Sequence, residues 1–257
     1  MVTSVGYTAQ ELMVAAAARE IHDGEVVFVG MRLPLIAFAL AKRTHAPNAV
    51  GLFENGIVRD EPSRELLYTM GDPPNVVGAE WCTSLSNIMC LLAQGAVALG
   101  FIGGAQVDRF GNLNTSYIGD PCAPTTKLPG SGGATDIASL SHRHIIIMEH
   151  ERRRLVERVD YITSPGFGDG GDWRARVGLP RGGPAALITT LSVIRFDPQT
   201  KEAYLDSCHP HSSVEEARAH TGWDLKVAPT VHMTAPPTEA ELQVIRAIDP
   251  QGFWTHV

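Results

Sequence analysis

The sequence predicts an α/β fold in which a mostly parallel sheet is covered by helices on both faces. Three observations lead there: apolar runs of strand length alternate with segments of helical spacing, the links between them are short, and runs such as Glu25–Gly30 are near-continuously apolar. With 257 residues, 44% of them hydrophobic and 19% charged, the chain is long enough for a sizeable core and ordinary in composition for a soluble globular protein.

Taken in order, Thr8-Ala-Gln-Glu11 reads as a capping box that opens a first helix, with apolar positions at Leu12, Val14, Ala15, Ala18 and Ile21 and a stop at Gly24. Glu25–Gly30 is the first strand, and Pro34 sits where a second helix, to about Thr44, begins. Ala49–Phe53 is the next strand, so a β-α-β unit is in place by residue 53. A Pro- and Gly-punctuated connection over 61–78 leads to a helix over Ser84–Gln94 and a buried strand over Val97–Ile102. An irregular loop is expected over Gly119–Gly133, then a short helix over Thr135–Ser141 and a strand over His144–Met148. Leu187–Phe196 and Ala203–Leu205 form a hairpin turning at Asp197-Pro-Gln-Thr200. Ser213–His220 and Thr238–Ile248 are capped helices. No repeat, low-complexity stretch or linker interrupts the pattern, so residues 1–257 read as a single domain.

Several function classes fall away on bulk properties. A net charge of -7 and a pI near 5.8 oppose general nucleic-acid binding, which needs a basic footprint. The cluster Arg152-Arg-Arg154 with Arg158 is flanked by Glu151 and Glu157 and reads as a solvated helix face with local ion pairs. Four cysteines without a CxxC pair fit a reducing compartment, and the cytoplasm is the expected location. The most apolar stretch, Val26–Ala41, carries Arg32 and Pro34 and falls short of the ~20 residues a membrane span requires. The chain also lacks a GxSxG elbow, which leaves a Ser-His-Asp hydrolase without support.

Glu54 is the residue with the clearest chemical promise. It closes a strand, and Asn55-Gly56 behind it favours positive φ, so the chain reverses directly after a carboxylate at the carboxyl end of a strand. Read alone, it is either a nucleophile at the rim of a sheet or a surface Glu opening an ordinary turn. Gly103-Gly-Ala-Gln-Val-Asp-Arg-Phe-Gly-Asn-Leu-Asn114 follows a strand and suits either a tight hairpin or a site wall where backbone amides approach a ligand. Pro129-Gly-Ser-Gly-Gly-Ala-Thr-Asp-Ile137 leads into helical spacing and is either an anion cradle or a flexible connection. His142 with His144, and His209 with His211, could each point one way from a strand, yet no third ligand is suggested and no metal is expected.

The ordered set of motifs resembles family I coenzyme A transferases, and within them the β-type chain of the glutaconate enzymes. Its carriers are Leu33-Pro-Leu-Ile36 with Ala41-Lys-Arg43, Glu54-Asn-Gly56, Phe101-Ile-Gly-Gly-Ala-Gln-Val-Asp108, Gly111-Asn-Leu-Asn114, Ser131-Gly-Gly-Ala134, Met148-Glu-His-Glu-Arg-Arg153, Asp160-Tyr-Ile-Thr-Ser-Pro-Gly166 and Ala247-Ile-Asp-Pro250. The resemblance runs from about Thr8 to Pro250 and implies that Glu54 is the covalent nucleophile, forming a glutamyl-CoA thioester. It also implies amide donors facing the reacting carbonyl. Gly133 is the best supported, with Gly132, Gly104 and Ala105 as further backbone candidates and Gln106 or Asn55 as side-chain ones. Coenzyme A thioester enters as substrate, with no permanently bound cofactor, and an α-type chain of similar fold is the expected partner in a hetero-oligomer, this chain being inactive alone. Phe53 stands where the family often carries Ser, which bears on substrate choice. The acyl group implied is a short dicarboxylic one; Arg32, Arg59 and Arg64 are each either a partner for its distal carboxylate or a surface charge. Two other readings share the sequence: an acyl-CoA hydrolase or decarboxylase on the same fold, and a noncatalytic acyl-CoA-binding scaffold subunit.

Overall fold

The computed structural model describes residues 6–179 and 181–256. The chain divides into two compact units, one running to Phe101 and resuming at Ala235, the other spanning Ile102–Thr234. Both are α/β in construction, as the sequence predicts.

In the first unit α1 (Ala9–Ala18) starts with the expected capping box: Glu11 N donates to Thr8 Oγ1 at 3.0 Å, and Thr8 N donates to Glu11 Oε2 at 2.8 Å. Leu12 to Ala18 are all buried, the mark of a helix packed on every side. Next come β1 (Val26–Phe28), α2 (Leu33–Arg43), β2 (Val50–Phe53), β3 (Ile57–Arg59), the single turn α3 (Pro73–Val76), β4 (Trp81–Cys82), α4 (Leu85–Ala93) and β5 (Leu99–Ile102). Their strand order is β5-β1-β2-β3-β4. The β1-α2-β2 unit makes β1 and β2 parallel, and β5 joins β1 in parallel, whereas β3 and β4 return antiparallel. Ser84 caps α4 through Asn87 N.

The second unit opens with two hairpins, β6 (Gln106–Val107) with β7 (Leu113–Asn114) and β8 (Tyr117–Asp120) with β9 (Ala123–Lys127). After α5 (Ala134–Leu140) follow β10 (Arg143–Met148), α6 (Trp173–Arg176), β11 (Pro184–Thr189), β12 (Ser192–Phe196), β13 (Ala203–Cys208), α7 (Val214–Ala219) and β14 (Lys226–Met233). They line up as β14-β13-β12-β11-β10, with parallel outer pairs and antiparallel inner ones. The last element, α8 (Glu239–Ile248), returns to the first unit and carries a second capping box. Its Arg246 meets the fully buried Glu11 carboxylate at 2.8 Å, and Glu241 meets Arg19 at 2.8 Å.

Four segments depart from the sequence expectations. The 187–196 run is two strands, because Thr189 Oγ1 accepts from Leu191 N and Ser192 N and turns the chain between them. The loop expected over 119–133 contains the β8–β9 hairpin, whose β9 side chains are all exposed and so give no apolar signal. β14 contains Pro229, a strand breaker tolerated here because β14 lies at the end of its strand order. The arginine cluster lies in a turn rather than on a helix face, with Arg153 and Arg154 both bound to Glu151. Among the described residues no helix is long and apolar enough to cross a membrane.

Three histidines are sealed inside the second unit: His144, His150 and His209 are 0%, 4% and 1% exposed. Burial depresses them to about 3, about 4 and about 4, and Arg174 adds to the effect at His144. The unfolded chain takes up these protons near pH 6.5, and the folded chain refuses them until far lower pH. Stability is therefore complete above about pH 6.5 and falls on acidification, with a limiting slope of ~1.4 kcal/mol per pH unit for each histidine. Denaturant midpoints measured at pH 7.5 and 5.5 should show the loss. A His144→Leu variant should show a shallower one, since neither ring nitrogen of His144 has a hydrogen-bond partner among the described residues.

Candidate active site

β2 and β3 face each other up to the pair Phe53 and Ile57, which leaves Glu54, Asn55 and Gly56 as a three-residue hairpin loop. Gly56 N donates to Phe53 O at 3.0 Å, and Gly56 has φ +102°, the arrangement in which a tight turn ends on a residue that glycine tolerates best. A second constraint falls on the same atom: a Cβ on Gly56 would overlap the Thr83 carbonyl. Gly56 O in turn accepts from Thr83 N at 2.8 Å, and Val58 O accepts from Glu80 N at 3.0 Å, which ties the hairpin to β4. Phe53 points inward at 2% exposure beside a small apolar cavity shared with Leu35, Phe38 and Ala39. Glu54, one position on, is half-buried at the apex, outside the apolar interior.

The connection behind this turn is organised by Arg59. Its side chain, 2% exposed, donates to Asn75 O at 2.6 Å, Glu61 O at 2.8 Å, Val77 O at 3.0 Å and Pro62 O at 3.4 Å. Arg59 is therefore neither a surface charge nor open to a substrate carboxylate, because its donors are committed to main-chain carbonyls in a buried setting that pulls its pKa down. Arg32 is exposed at the start of α2, its guanidinium 5.3 Å from the Trp254 ring centroid, and Arg64 is exposed. Asn55, exposed beside Glu54, donates its amide to Met70 O at 2.6 Å.

The remaining nominated residues lie in the second unit. The Gly103–Asn114 run forms the β6–β7 hairpin, in which Ala105 N donates to Asn114 O at 2.9 Å. Gln106 is 5% exposed; its Oε1 accepts from Asn114 Nδ2 at 2.8 Å and Asp160 N at 3.1 Å, and its Nε2 donates to Asp160 Oδ2 at 3.2 Å. Gln106 thus braces the 160 segment. Asn112 does the same further along, with Oδ1 accepting from Gly166 N and Gly168 N, both at 3.0 Å. Gly166 has no room for a Cβ, which would overlap the main chain at Phe110 and Gly111. Asp108, 5% exposed, holds the hairpin turn by accepting from Phe110 N, Asn112 N and Asn112 Nδ2; burial raises its pKa against the pull of those bonds.

Gly132, with φ +48°, and the buried Gly133 turn the chain into α5, and Ala134 N donates to Ser131 O at 3.0 Å. This segment is pinned at both sides, by Gly130 N to Thr115 O at 2.8 Å and by Thr135 Oγ1 to Thr163 O at 2.7 Å. Gly104 is half-buried where β6 begins. The unit also holds a cavity of about 720 Å³ lined by Asp108, Arg109, Phe110 and Asn112 of the Gly103–Asn114 run with Glu157, Arg158 and Trp173, which contains none of the nominated residues.

The His209 and His211 rings turn to protein oxygens: His209 to Thr234 Oγ1 and Thr189 O, His211 to Thr190 O. No group of three or more metal-ligating side chains occurs among the described residues.

The coenzyme A transferase family model matches residues 10–219. The chain is 39% identical to the B-type subunit of 3-oxoadipate CoA-transferase from Pseudomonas knackmussii, over 97% of its length and 96% of that relative. It is 40% identical to the B-type subunit of glutaconate CoA-transferase from Acidaminococcus fermentans, covering 98% and 97%. The crystal structure of glutaconate coenzyme A-transferase from Acidaminococcus fermentans superimposes with a TM-score of 0.92 at 36% identity, over 98% of each chain. This chain belongs to the coenzyme A transferase family, and within it to the B-type subunits.

Proposed function

We propose that this chain is the nucleophile-bearing subunit of an enzyme that moves CoA between an acyl-CoA and a short dicarboxylic acid, with Glu54 carrying CoA as a glutamyl thioester. The observation that carries the reading is a half-buried carboxylate held at the apex of a three-residue hairpin at the carboxyl end of β2, in a chain of this family. Both relatives are named for dicarboxylic acids, glutaconate and 3-oxoadipate, and both are B-type subunits, which supports an α-type partner and a dicarboxylic substrate.

In this scheme a Glu54 oxygen attacks the thioester carbon, and CoA thiolate leaves as a mixed anhydride forms. The thiolate attacks the glutamyl carbonyl of that anhydride, which forms glutamyl-CoA and releases the donor acid as carboxylate. The acceptor carboxylate then attacks glutamyl-CoA, giving a second anhydride and thiolate, and thiolate attack on the acceptor carbonyl yields the new acyl-CoA and restores Glu54. Each attack develops an oxyanion, and one well-aimed amide donor lowers such a barrier by ~2.7 to 4 kcal/mol. Three of the nominated donors have other work: Ala105 N in the hairpin ladder, Gln106 at Asp160 and Asn55 at Met70. Transfer rather than hydrolysis requires that water be kept from the glutamyl thioester, which is the role we give to the α-type partner.

The assembled two-chain complex, incubated with acyl-CoA alone, should yield CoA covalently attached to the peptide containing Glu54 by mass spectrometry. A Glu54→Gln variant should lack the adduct and lose at least ~10³-fold in transfer rate. The isolated chain should transfer nothing. Adduct elsewhere, or full turnover by the variant, would refute the assignment; continued release of free acid without an acceptor, beyond the one equivalent that adduct formation liberates, would indicate a hydrolase.

A further inference from the structure

Asn75 is fully buried, yet its amide is only half satisfied: Nδ2 donates to Met70 O at 2.9 Å, while Oδ1 has no partner among the described residues. A buried polar atom left in this way carries a desolvation cost that a leucine of similar volume would not. What the amide supplies is its donor to the Met70 carbonyl. That carbonyl has a second donor, Asn55 Nδ2 at 2.6 Å, so two side chains meet on one oxygen. Asn75 is itself fixed from behind, because the buried Arg59 guanidinium donates to Asn75 O at 2.6 Å and Val77 O at 3.0 Å. The corner that presents Met70 is fixed from the other side, by Asp72 accepting from Tyr68 N at 2.7 Å and Thr69 N at 3.0 Å. The relay ends at Asn55, the residue bonded to Glu54.

We propose that Asn75, anchored by Arg59, is a positioning residue for the Glu54 nucleophile, acting through the Met70 carbonyl and the Asn55 amide. The proposal rests on Glu54 being the nucleophile. The main-chain bonds of this loop converge on Gly56, and Asn55 before it has an exposed side chain. Its bond to Met70 O supplies the restraint, and Asn75 holds that oxygen still. Attack on a thioester needs the carboxylate oxygen near 3 Å from the carbon, and a displacement of about 1 Å can cost ~10²-fold in rate. Loss of either amide should therefore slow formation of the enzyme–CoA bond and leave substrate affinity alone.

The test uses the assembled complex with Asn75→Leu, Asn55→Ala and the double variant. Two quantities are read: the single-turnover rate of CoA attachment to the Glu54 peptide after mixing with acyl-CoA, and the steady-state KM. We expect each single variant to label roughly 10-fold more slowly with KM within about twofold, and the double variant to be no slower than the slower single one, since both act on one oxygen. Labelling of both variants at the wild-type rate, additive losses in the double variant, or a rise in KM at unchanged rate would overturn the relay while leaving Glu54 as nucleophile. Absence of label in the wild-type complex would instead remove the nucleophile and the relay together. If Asn75→Leu fails to fold, the Asn55→Ala variant decides alone: slow labelling supports the relay, and the wild-type rate overturns it.

Discussion

The reversal of β2 within three residues is the constraint on which the rest depends. It puts a carboxylate at the end of a buried strand without drawing it into the apolar interior, and it works because Gly56 can hold φ +102° against the Thr83 carbonyl where no side chain fits. Phe53 and Glu54 are neighbours with opposite fates: one is sealed in the apolar interior, and the other stands half-open at the turn. The strand on one side, the stitched β4 edge on the other and the Asn55 amide on Met70 O together limit the carboxylate's freedom. That is what a nucleophile needs if binding energy is to be used in the transition state rather than in ordering the enzyme.

In the second unit short amide side chains hold glycine-rich main chain in place. Gln106 and Asn112 each bond to segments about fifty residues later, Asn114 braces Gln106, and Thr163 Oγ1 takes Thr115 N at 3.0 Å. Glycine supplies close approach, and the amides supply the lost rigidity. The motifs that carry the family resemblance are therefore largely the two halves of these contacts: Gly111–Asn114 binds Asp160–Gly166, and the Ser131–Ala134 turn is pinned through its neighbours to Thr115 and Thr163.

Much of this is legible in the sequence. The capping box at Thr8, the cap at Thr238, the start of α2 at Pro34 and the strand before Glu54 are local signals, and local signals survive folding. The Asn-Gly pair announced the turn for the same reason. Three features were hidden because they depend on distant partners. Arg59 reads in sequence as either a carboxylate partner or a surface charge, and only four carbonyls brought in from 61–77 make it a buried anchor. Gln106 and Asn55 look like donors awaiting a substrate, but their amides already serve Asp160 and Met70. The β8–β9 hairpin carries no apolar alternation, since its β9 face meets solvent along its length.

The central claim is that an activated ester of CoA forms on one side chain of this chain. Borohydride reduces such a thioester to an alcohol and leaves a free carboxylate untouched, so treating the complex with borohydride in the presence and absence of acyl-CoA tests it directly. The account predicts inactivation only when acyl-CoA is present, with the alcohol found at position 54; inactivation without acyl-CoA, or an unmodified Glu54 in the inactivated enzyme, would contradict it.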